Sequence, residues 1–385
     1  MKKTIVVLLV IFILASFTLT HKSAIASEPY KIGVIVAVTG PASFLGDPEK
    51  NTFILLQDQL NKAGGVNGHP VELIIVDSKS EETQAVLSAK KLLETDNVLA
   101  IIGPSTTGES MAIIPIMTAA KTPLISIASG AVIVQPVEER HWIFKTPQND
   151  SSVIEAIYGY MKKHGISKIG ILSVQSGFGD SARKALHEMA PKYGISIVVD
   201  ERYGPKDADM TTQLVKAKTA GAQAVVNMSI GPSQVLVTKN WADLKMGIPL
   251  YQSHGWGNKK NIELAGKAAE GVMAPMGRLV IWDKLSDKNP QKALLKKYAL
   301  DYEARFKTEP AIFGSHAYDA FMMVTEALKK VGPDKGKIRD YIETKINNWP
   351  GAGGVFKMSA KDHCGLDKDS MDMVVVKNGD WEVVK

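Results

Sequence analysis

Cysteine is almost absent from this sequence: Cys364 is the only one among 385 residues. A single thiol excludes an intramolecular disulfide, so the fold must be stabilised by buried apolar surface instead. Long apolar runs are also scarce, because residues 5–14 form the one unbroken stretch. That stretch is short for a bilayer span, which needs about 20 residues. The sequence therefore argues against an integral membrane protein.

Concentrated basic charge and catalytic motifs are lacking as well. The formal net charge is +6, but lysines are scattered and stand beside acids, whereas a nucleic-acid surface needs a basic stripe with aromatics. Gly-x-Ser-x-Gly, His-Glu-x-x-His, Walker and Gly-x-Gly-x-x-Gly motifs do not occur. Asp362, His363 and Cys364 are adjacent without further metal ligands at a suitable spacing, which predicts a turn. We therefore predict no catalytic residues, no metal, no cofactor and no nucleic-acid partner.

The first 26 residues have the features of a cleavable export signal. Lys2 and Lys3 precede the apolar stretch, and Ala24-Ile25-Ala26 supplies the small residues that a signal peptidase reads. We predict cleavage after Ala26. Because Ser27 follows instead of a cysteine, the exported chain should not be lipidated and should be free in the periplasm. The chain that remains is too long for one compact core and suits two lobes.

Alternating strand and helix patterns predict an α/β fold with parallel sheets. The predicted strands are 30–38, 71–77, 98–102, 124–127, 168–172, 195–199, 224–228 and 249–252, and helices include 49–63, 109–120, 289–306, 311–330 and 335–346. Ser78 and Glu81 have capping-box spacing and predict the start of a further helix there. The segments 371–376 and 381–384 flank Asn378-Gly379 and predict a closing hairpin.

The second half of the chain repeats the beginning of the first. Lys31-Ile32-Gly33-Val34-Ile35 is echoed by Lys168-Ile169-Gly170-Ile171-Leu172, and Leu45-Gly46-Asp47 by Phe178-Gly179-Asp180. Two similar halves predict two lobes, with a ligand site in the cleft between them. Gly-Asp before a helix is also ordinary capping chemistry, so the echo alone is a modest signal.

Several motifs together resemble a known family. They are Ile32-Gly33-Val34, Thr39-Gly40-Pro41, Gly46-Asp47, Leu60-Asn61-Lys62-Ala63-Gly64-Gly65-Val66-Asn67-Gly68, Ala100-Ile101-Ile102-Gly103-Pro104 and Ala269-Glu270-Gly271-Val272. Over essentially the whole chain after residue 26, the sequence resembles type I periplasmic solute-binding proteins of ABC importers, in the branched-chain amino-acid (Leu/Ile/Val-binding) group.

The resemblance implies two doubly wound Rossmann-like lobes joined by three hinge crossovers, which close around one small solute like a Venus flytrap. Residues 27–147 plus 277–350 would form lobe 1, and residues 148–276 plus 351–385 would form lobe 2. The protein would be a monomer that delivers its ligand to ABC permease subunits in the inner membrane. A ligand sensor for a membrane receptor, or an exported hydrolase, remains an alternative.

Candidate ligand-binding residues in lobe 1 follow two predicted strands. Ser105, Thr106 and Thr107 precede a helix whose free amides suit a carboxylate, and the resemblance implies that the Thr107 hydroxyl and amide bind it; helix capping is the alternative. Ala128, Ser129 and Gly130 end the next strand. Similar proteins have a threonine at the position of Gly130, so a ligand-binding hydroxyl is missing there, which Ser129 could replace.

Lobe 2 contributes His254 and Trp256, which follow a predicted strand. Amino-acid binders carry an acid at the position of His254, and a histidine cannot serve as that fixed anion; a hydrogen-bonded loop histidine with no role in binding is the alternative. Other pocket positions, where relatives often have tyrosine, are apolar here: Leu45, Phe178, Ile230 and Phe313. We therefore predict a small carboxylate ligand, either an amino acid or an apolar or aromatic acid, with a weakened α-amino anchor unless Asp150 or another acid restores it.

Overall fold

A computed structural model describes residues 27–384. The predicted signal peptide lies outside these residues. The first half contains β1 (Tyr30–Val36), α1 (Ser43–Lys62), β2 (Val71–Asp77), α2 (Glu82–Glu94), β3 (Ile101–Ile102), α3 (Thr107–Ala119), β4 (Leu124–Ser126) and β5 (Ile143–Lys145). The second half contains α4 (Asp150–Lys163), β6 (Lys168–Val174), α5 (Gly177–Tyr193), β7 (Ser196–Tyr203), α6 (Thr211–Thr219), β8 (Ala224–Met228), α7 (Pro232–Asp243), β9 (Leu250–Gln252), α8 (Lys259–Ala265) and β10 (Met273–Gly277).

The last third of the chain adds helices first and strands afterwards. It contains α9 (Lys292–Phe306), α10 (Ile312–Val331), α11 (Lys335–Lys345), β11 (Asn347–Pro350), β12 (Val355–Lys357), β13 (Met371–Lys377) and β14 (Asp380–Val383). Strands β11 and β12 pair as a small antiparallel sheet. The predicted closing hairpin is confirmed, because β13 and β14 pair antiparallel.

Two larger sheets confirm the predicted α/β class. The first has the order β2-β1-β3-β4-β5 and is parallel throughout. In the second, β7-β6-β8-β9-β10 has the same order, and β13 and β14 extend its far edge antiparallel. The repeated order explains the echo between the half-chains, since β1 and β6 hold the equivalent place in each sheet.

The echoed glycines have the same packing role in both halves. Gly46 and Gly179 lie in the first turns of α1 and α5, each against the end of the preceding strand. A Cβ on Gly46 would lie 2.2 Å from the Ala37 carbonyl oxygen, and one on Gly179 would lie 1.8 Å from that of Val174. Both positions must therefore be glycine for the helix to lie this close to the strand.

Helix α2 begins differently from the prediction. Its N-cap is Glu81, whose side chain makes no capping bond, and Ser78 is fully buried. Lys79 and Ser80 have φ values of 57° and 63°, so the chain makes a left-handed turn between Ser78 and the helix. The predicted capping box at Ser78 and Glu81 is therefore wrong. A capping box does occur at α3, where Thr106 and Glu109 bond reciprocally.

The hydrophobic cores of the two large sheets indicate which chain segments pack with each sheet. One core covers the first sheet together with α10 and α11, and two others cover the faces of the second sheet. Phe356, Met358, Cys364 and Leu366 belong to the core of the first sheet. The predicted lobe boundaries at 147 and 276 remain predictions, and we propose that the third crossing lies near residue 367 rather than 350.

Candidate functional site

A cavity of about 510 Å³ lies where the two large sheets face each other. Its walls come from the segments that follow β1, β3 and β4 in the first sheet, and β6, β8 and β9 in the second. Helix α10 supplies Phe313 and His316. The carboxyl ends of parallel strands are the usual ligand-binding edge of open α/β sheets. The cavity is therefore the candidate binding site.

The structure brings together ten of the twelve predicted site residues. Those that line the cavity are Leu45, Ser105, Thr106, Thr107, Ala128, Ser129, Phe178, Ile230, His254 and Phe313. Gly130 lies directly behind the lining, where its amide donates to the Thr107 hydroxyl oxygen over 3.2 Å. Trp256 lies elsewhere.

Trp256 is the one predicted residue that the structure separates from the cavity. Its side chain is fully buried in the core of the second sheet, which also includes Ile262 and Met276. His254 and Trp256 are the first and last residues of one short 3-10 turn, so their side chains leave it in different directions. The prediction that Trp256 contacts the ligand is therefore corrected to a role in packing. Asp150, considered as a replacement acid, is also fully buried and does not line the cavity.

The starts of α3 and α5 meet at the cavity. A Cβ added to Gly177 would lie 3.1 Å from the Gly108 amide nitrogen, so the first turns of the two helices are neighbours. The side chains of the N-cap residues Thr106 and Ser176 accept only the third amide of each helix. Among residues 27–384, the first two amides of each helix, those of Thr107, Gly108, Gly177 and Phe178, have no acceptor. Four free donors and two positive helix ends favour an anion here.

The Thr107 hydroxyl is also free to bind an anion at the start of α3. Its oxygen accepts the Gly130 amide, and within the described chain its hydrogen has no acceptor. A Cβ on Gly130 would lie only 2.6 Å from the Thr107 methyl carbon. Glycine at 130 therefore lets Thr107 adopt this position, and a threonine there would displace it. The position of Thr107 therefore depends on the absence of a side chain at residue 130.

Two other hydroxyls at the cavity are already committed to protein acceptors. Thr106 donates to Glu109 Oε2 over 2.7 Å as part of the capping box. Ser129 donates to the Gln148 carbonyl oxygen over 3.0 Å. The capping alternative therefore holds for Thr106, and the prediction that Ser129 replaces the missing threonine hydroxyl is not supported, because its hydrogen is used elsewhere.

Ser105 joins the cavity wall to a buried acid. Its hydroxyl contacts Glu49 Oε2 at 2.5 Å, and its oxygen accepts the Ala37 amide over 3.0 Å. Burial raises the pKa of the Glu49 carboxyl to about 8; the Ser105 bond opposes this increase and the charge of Glu109 adds to it. Ser105 therefore ties α1 to β1, and its hydrogen is available to a ligand only while Glu49 is protonated.

Apolar side chains form most of the remaining wall. Leu45, Phe178 and Phe313 are buried, and Ile230 is half-buried. Sequence reasoning missed Phe44, whose ring meets Phe313 edge-on at 5.9 Å between centroids. Glu82 and Lys206 reach the cavity but are exposed. The interior therefore suits an apolar ligand body.

Two buried histidines complete the wall. His254 was predicted, whereas His316 was missed, although it follows Phe313 by one helical turn on α10 and could have been found from that spacing. Burial, and then the charge of Lys145, lower the pKa of His254 to about 3. Burial also lowers the pKa of His316 far below its usual range, with smaller contributions from His254 and Lys145. Both rings are therefore neutral at physiological pH.

The Asp362-His363-Cys364 segment forms a turn, as predicted. The Asp362 carboxylate accepts the amides of Cys364 and Gly365 over 2.9 and 3.1 Å. In residues 27–384 no three His, Cys, Asp or Glu side chains are grouped so that they could hold a metal ion. Over the same residues, no helix is both long and apolar enough to cross a membrane.

The family model described as periplasmic binding protein matches residues 29–380, nearly the whole described chain. The chain belongs to this family. It is a type I periplasmic binding protein of the branched-chain amino-acid group, as the motifs predicted, and the family consists of substrate-binding proteins.

Relatives of this periplasmic binding protein include both amino-acid binders and general receptors. It is 25% identical over 331 residues to a leucine-, isoleucine-, valine-, threonine- and alanine-binding protein of Pseudomonas aeruginosa, and 85% of each chain is covered. An extracellular ligand-binding receptor from Rhodopseudomonas palustris HaA2 is 29% identical with a TM-score of 0.86, over 92% of this chain and 99% of the other. A branched-chain amino acid binding protein of Streptococcus pneumoniae, crystallised with isoleucine, shares the fold. It is 24% identical with a TM-score of 0.80, over 92% of this chain and 98% of the other.

Proposed function

We propose that this protein binds a small carboxylate with an apolar body in the cavity between its sheets and delivers it to the permease of an ABC importer. The observation that carries the proposal is the group of four free amides at the adjoining starts of α3 and α5. Their donors and the Thr107 hydroxyl would surround a carboxylate, and the buried aromatic and aliphatic wall would cover the rest of the ligand.

The ligand needs no α-amino group in this proposal. An ammonium group taken out of water requires a carboxylate or several acceptors close by. His254, at the position of the amino-acid binders' acid, is neutral, and Thr106 engages Oε2 of the buried Glu109 carboxylate, whose Oε1 is enclosed without a partner in residues 27–384. Glu82 is exposed. In this proposal, a weakened ammonium partner distinguishes the site from the leucine-type binding that the Pseudomonas relative's description suggests.

Matched pairs of ligands test the proposal by isothermal calorimetry. Leucine is compared with 4-methylpentanoate, and phenylalanine with 3-phenylpropanoate, because each pair differs only in the amino group. We expect the deaminated acid of at least one pair to bind at least as tightly as its amino acid. A tenfold or larger preference for the amino acids in both pairs would contradict the absence of an ammonium site.

A membrane sensor shares this fold, so transport needs its own test. In the native host, loss of this protein should abolish high-affinity uptake of the radiolabelled acid. A mutant that takes up the acid normally but no longer responds to it would instead support a sensor. Turnover of generic esters, amides or phosphates by the purified protein would support the hydrolase alternative.

A further inference from the structure

The two cavity histidines have a hydrogen-bonding capacity that the protein itself does not use. His254 is 5% exposed and His316 is 2% exposed, and both line the cavity. Within residues 27–384, neither ring makes a hydrogen bond, and the Nδ1 atom of each is enclosed without a partner. Buried polar groups normally have partners, and leaving one unpaired is unfavourable. The Nε2 atoms of both rings also make no hydrogen bond within these residues but are not enclosed, so they are the ring atoms that a ligand in the cavity could meet.

The enclosed nitrogen indicates which ring atom faces the ligand. A Cβ on Gly353 would lie 3.6 Å from His316 Nδ1, so this nitrogen faces the chain segment between β11 and β12. Nε2 of each ring is then the atom left to reach the cavity. An unpaired acceptor is tolerated better than an unpaired N–H donor. The proton of each neutral ring therefore belongs on Nε2, where it is a donor directed at the ligand.

We infer that the bound acid carries a second oxygen, uncharged, such as a hydroxyl or keto group, which accepts hydrogen bonds from His254 and His316. This inference rests on the proposed function, because the acid's carboxylate occupies the helix starts.

Charge separates this ligand class from its competitors. A second carboxylate would be buried without a cation in contact, because both histidines are neutral. Lys145 is the nearby cation, but its ammonium donates to the Pro147 carbonyl and Asn149 Oδ1 at 2.8 Å each and does not line the cavity. An ammonium group would meet two donors and the field of Lys145. An uncharged oxygen avoids both penalties.

Calorimetry with oxygenated and plain acids tests the inference on the unmodified protein. The plain acids are 4-methylpentanoate and 3-phenylpropanoate. Each is compared with its 2-hydroxy and 2-oxo derivatives, and the phenyl acid also with its 4-hydroxyphenyl derivative. We expect at least one oxygenated acid to bind at least tenfold more tightly than its plain parent, since a site built around a hydrogen-bonded group rejects ligands that lack it.

Variants then assign the preference to the histidines. In His254→Phe and His316→Phe, the preference for the oxygenated acid should fall to less than threefold, while His164→Phe, at an exposed histidine, should leave it unchanged. If a phenylalanine variant does not fold, ¹⁵N NMR of the unmodified protein replaces it: the Nε2 resonances of His254 and His316 should shift more with the oxygenated acid than with its parent.

The outcomes separate the inference from the proposed function. If acids bind but every oxygenated one binds no more tightly than its parent, or if the preference persists in both phenylalanine variants, the inference is wrong and the proposed function stands. Tighter binding of dicarboxylates or of amino acids than of oxygenated acids would also overturn it. If no carboxylic acid binds, the proposed function fails and the inference fails with it.

Discussion

Thr107 differs from the other hydroxyl residues predicted at the cavity because its hydrogen has no acceptor in the described chain. The sequence placed Thr107, Thr106 and Ser105 equally well at the end of β3. It could not show which hydroxyls are free, because the acceptors are set by tertiary packing: Glu49 lies on α1, and Gln148 lies beyond β5. His316 was missed for the same reason, since α10 reaches the cavity from the far end of the chain.

Replacement of Thr107 should separate ligand binding from helix capping. Thr107→Val removes the free hydroxyl and should weaken a carboxylate ligand by about 1–3 kcal/mol, whereas Thr107→Ser should retain most of the affinity. Thr106→Ala, the control, should lower the free energy of unfolding by about 0.5–2 kcal/mol through loss of the cap. Titration calorimetry and urea unfolding measure the two effects. Unchanged affinity in Thr107→Val would show that the Thr107 hydroxyl has no part in binding.

The raised pKa of Glu49 makes stability depend on pH. Its pKa is about 8 in the folded protein and about 4.3 in an unfolded chain, so between these values the folded state binds more protons. The free energy of unfolding should therefore fall as pH rises from about 4 to about 8. Glu49→Gln should reduce this decline, measured by urea unfolding at pH 5, 6.5 and 8. A decline of the same size in the unmodified protein and in Glu49→Gln would contradict a raised pKa at Glu49. Burial also raises the pKa of Asp319 to about 8, and this group contributes to the decline in both proteins.

At the scale of elements, periodicity located most strands and several helices because those patterns reflect burial, but it missed β5, β10, β11 and β12. The second strand, residues 71–77, was predicted with its bounds. Helix α1 begins at Ser43, six residues before the predicted start. The start is misplaced in the prediction because Pro48 lies inside the helix, whereas proline usually occupies the first turn. The false capping box at Ser78 has a similar origin, since two residues with positive φ interrupt a motif that depends on spacing alone.

The echoed glycines give a prediction about helix placement. Gly179→Ala would put a methyl group 1.8 Å from the Val174 carbonyl oxygen and should lower the free energy of unfolding by about 1–3 kcal/mol, as in overpacked cores. Gly159→Ala is the matched control, because this glycine lies within α4 and its nearest atom would be 4.0 Å away. The control should be stabilised by about 0.5–1 kcal/mol. Equal stability of the two variants in urea unfolding would show that α5 can move away from the strand.

At the scale of the whole molecule, the repeat in the sequence predicted the two sheets, and the structure shows that their strand orders correspond. The third crossing was less predictable. The segment between β11 and β12 is attached to α10, which packs in the first sheet's core, because Asp319 on α10 accepts the amides of Ala352 and Gly353 over 2.5 and 2.6 Å. Contacts between segments this distant in sequence leave no local pattern.

Ligand binding between the sheets should change the shape of the molecule. A ligand in contact with both walls favours the arrangement in which they are close. We therefore expect the radius of gyration from X-ray scattering to decrease when a bound acid is added. Thr107→Val should need a higher acid concentration for the same decrease. An unchanged profile at saturating ligand would show that the lobes do not move.

The adjoining starts of α3 and α5 have an effect even without a ligand. Both helix ends carry partial positive charge, so they repel each other, and the exposed Glu82 carboxylate beside Gly108 reduces this repulsion at the start of α3. We therefore expect the ligand-free protein to favour more widely separated lobes, and a bound carboxylate to attract both helix starts. Because dissolved ions screen this repulsion, raising the salt concentration should make the ligand-free molecule more compact. Small inorganic anions that bind at the helix starts should have a larger effect than other ions at the same ionic strength.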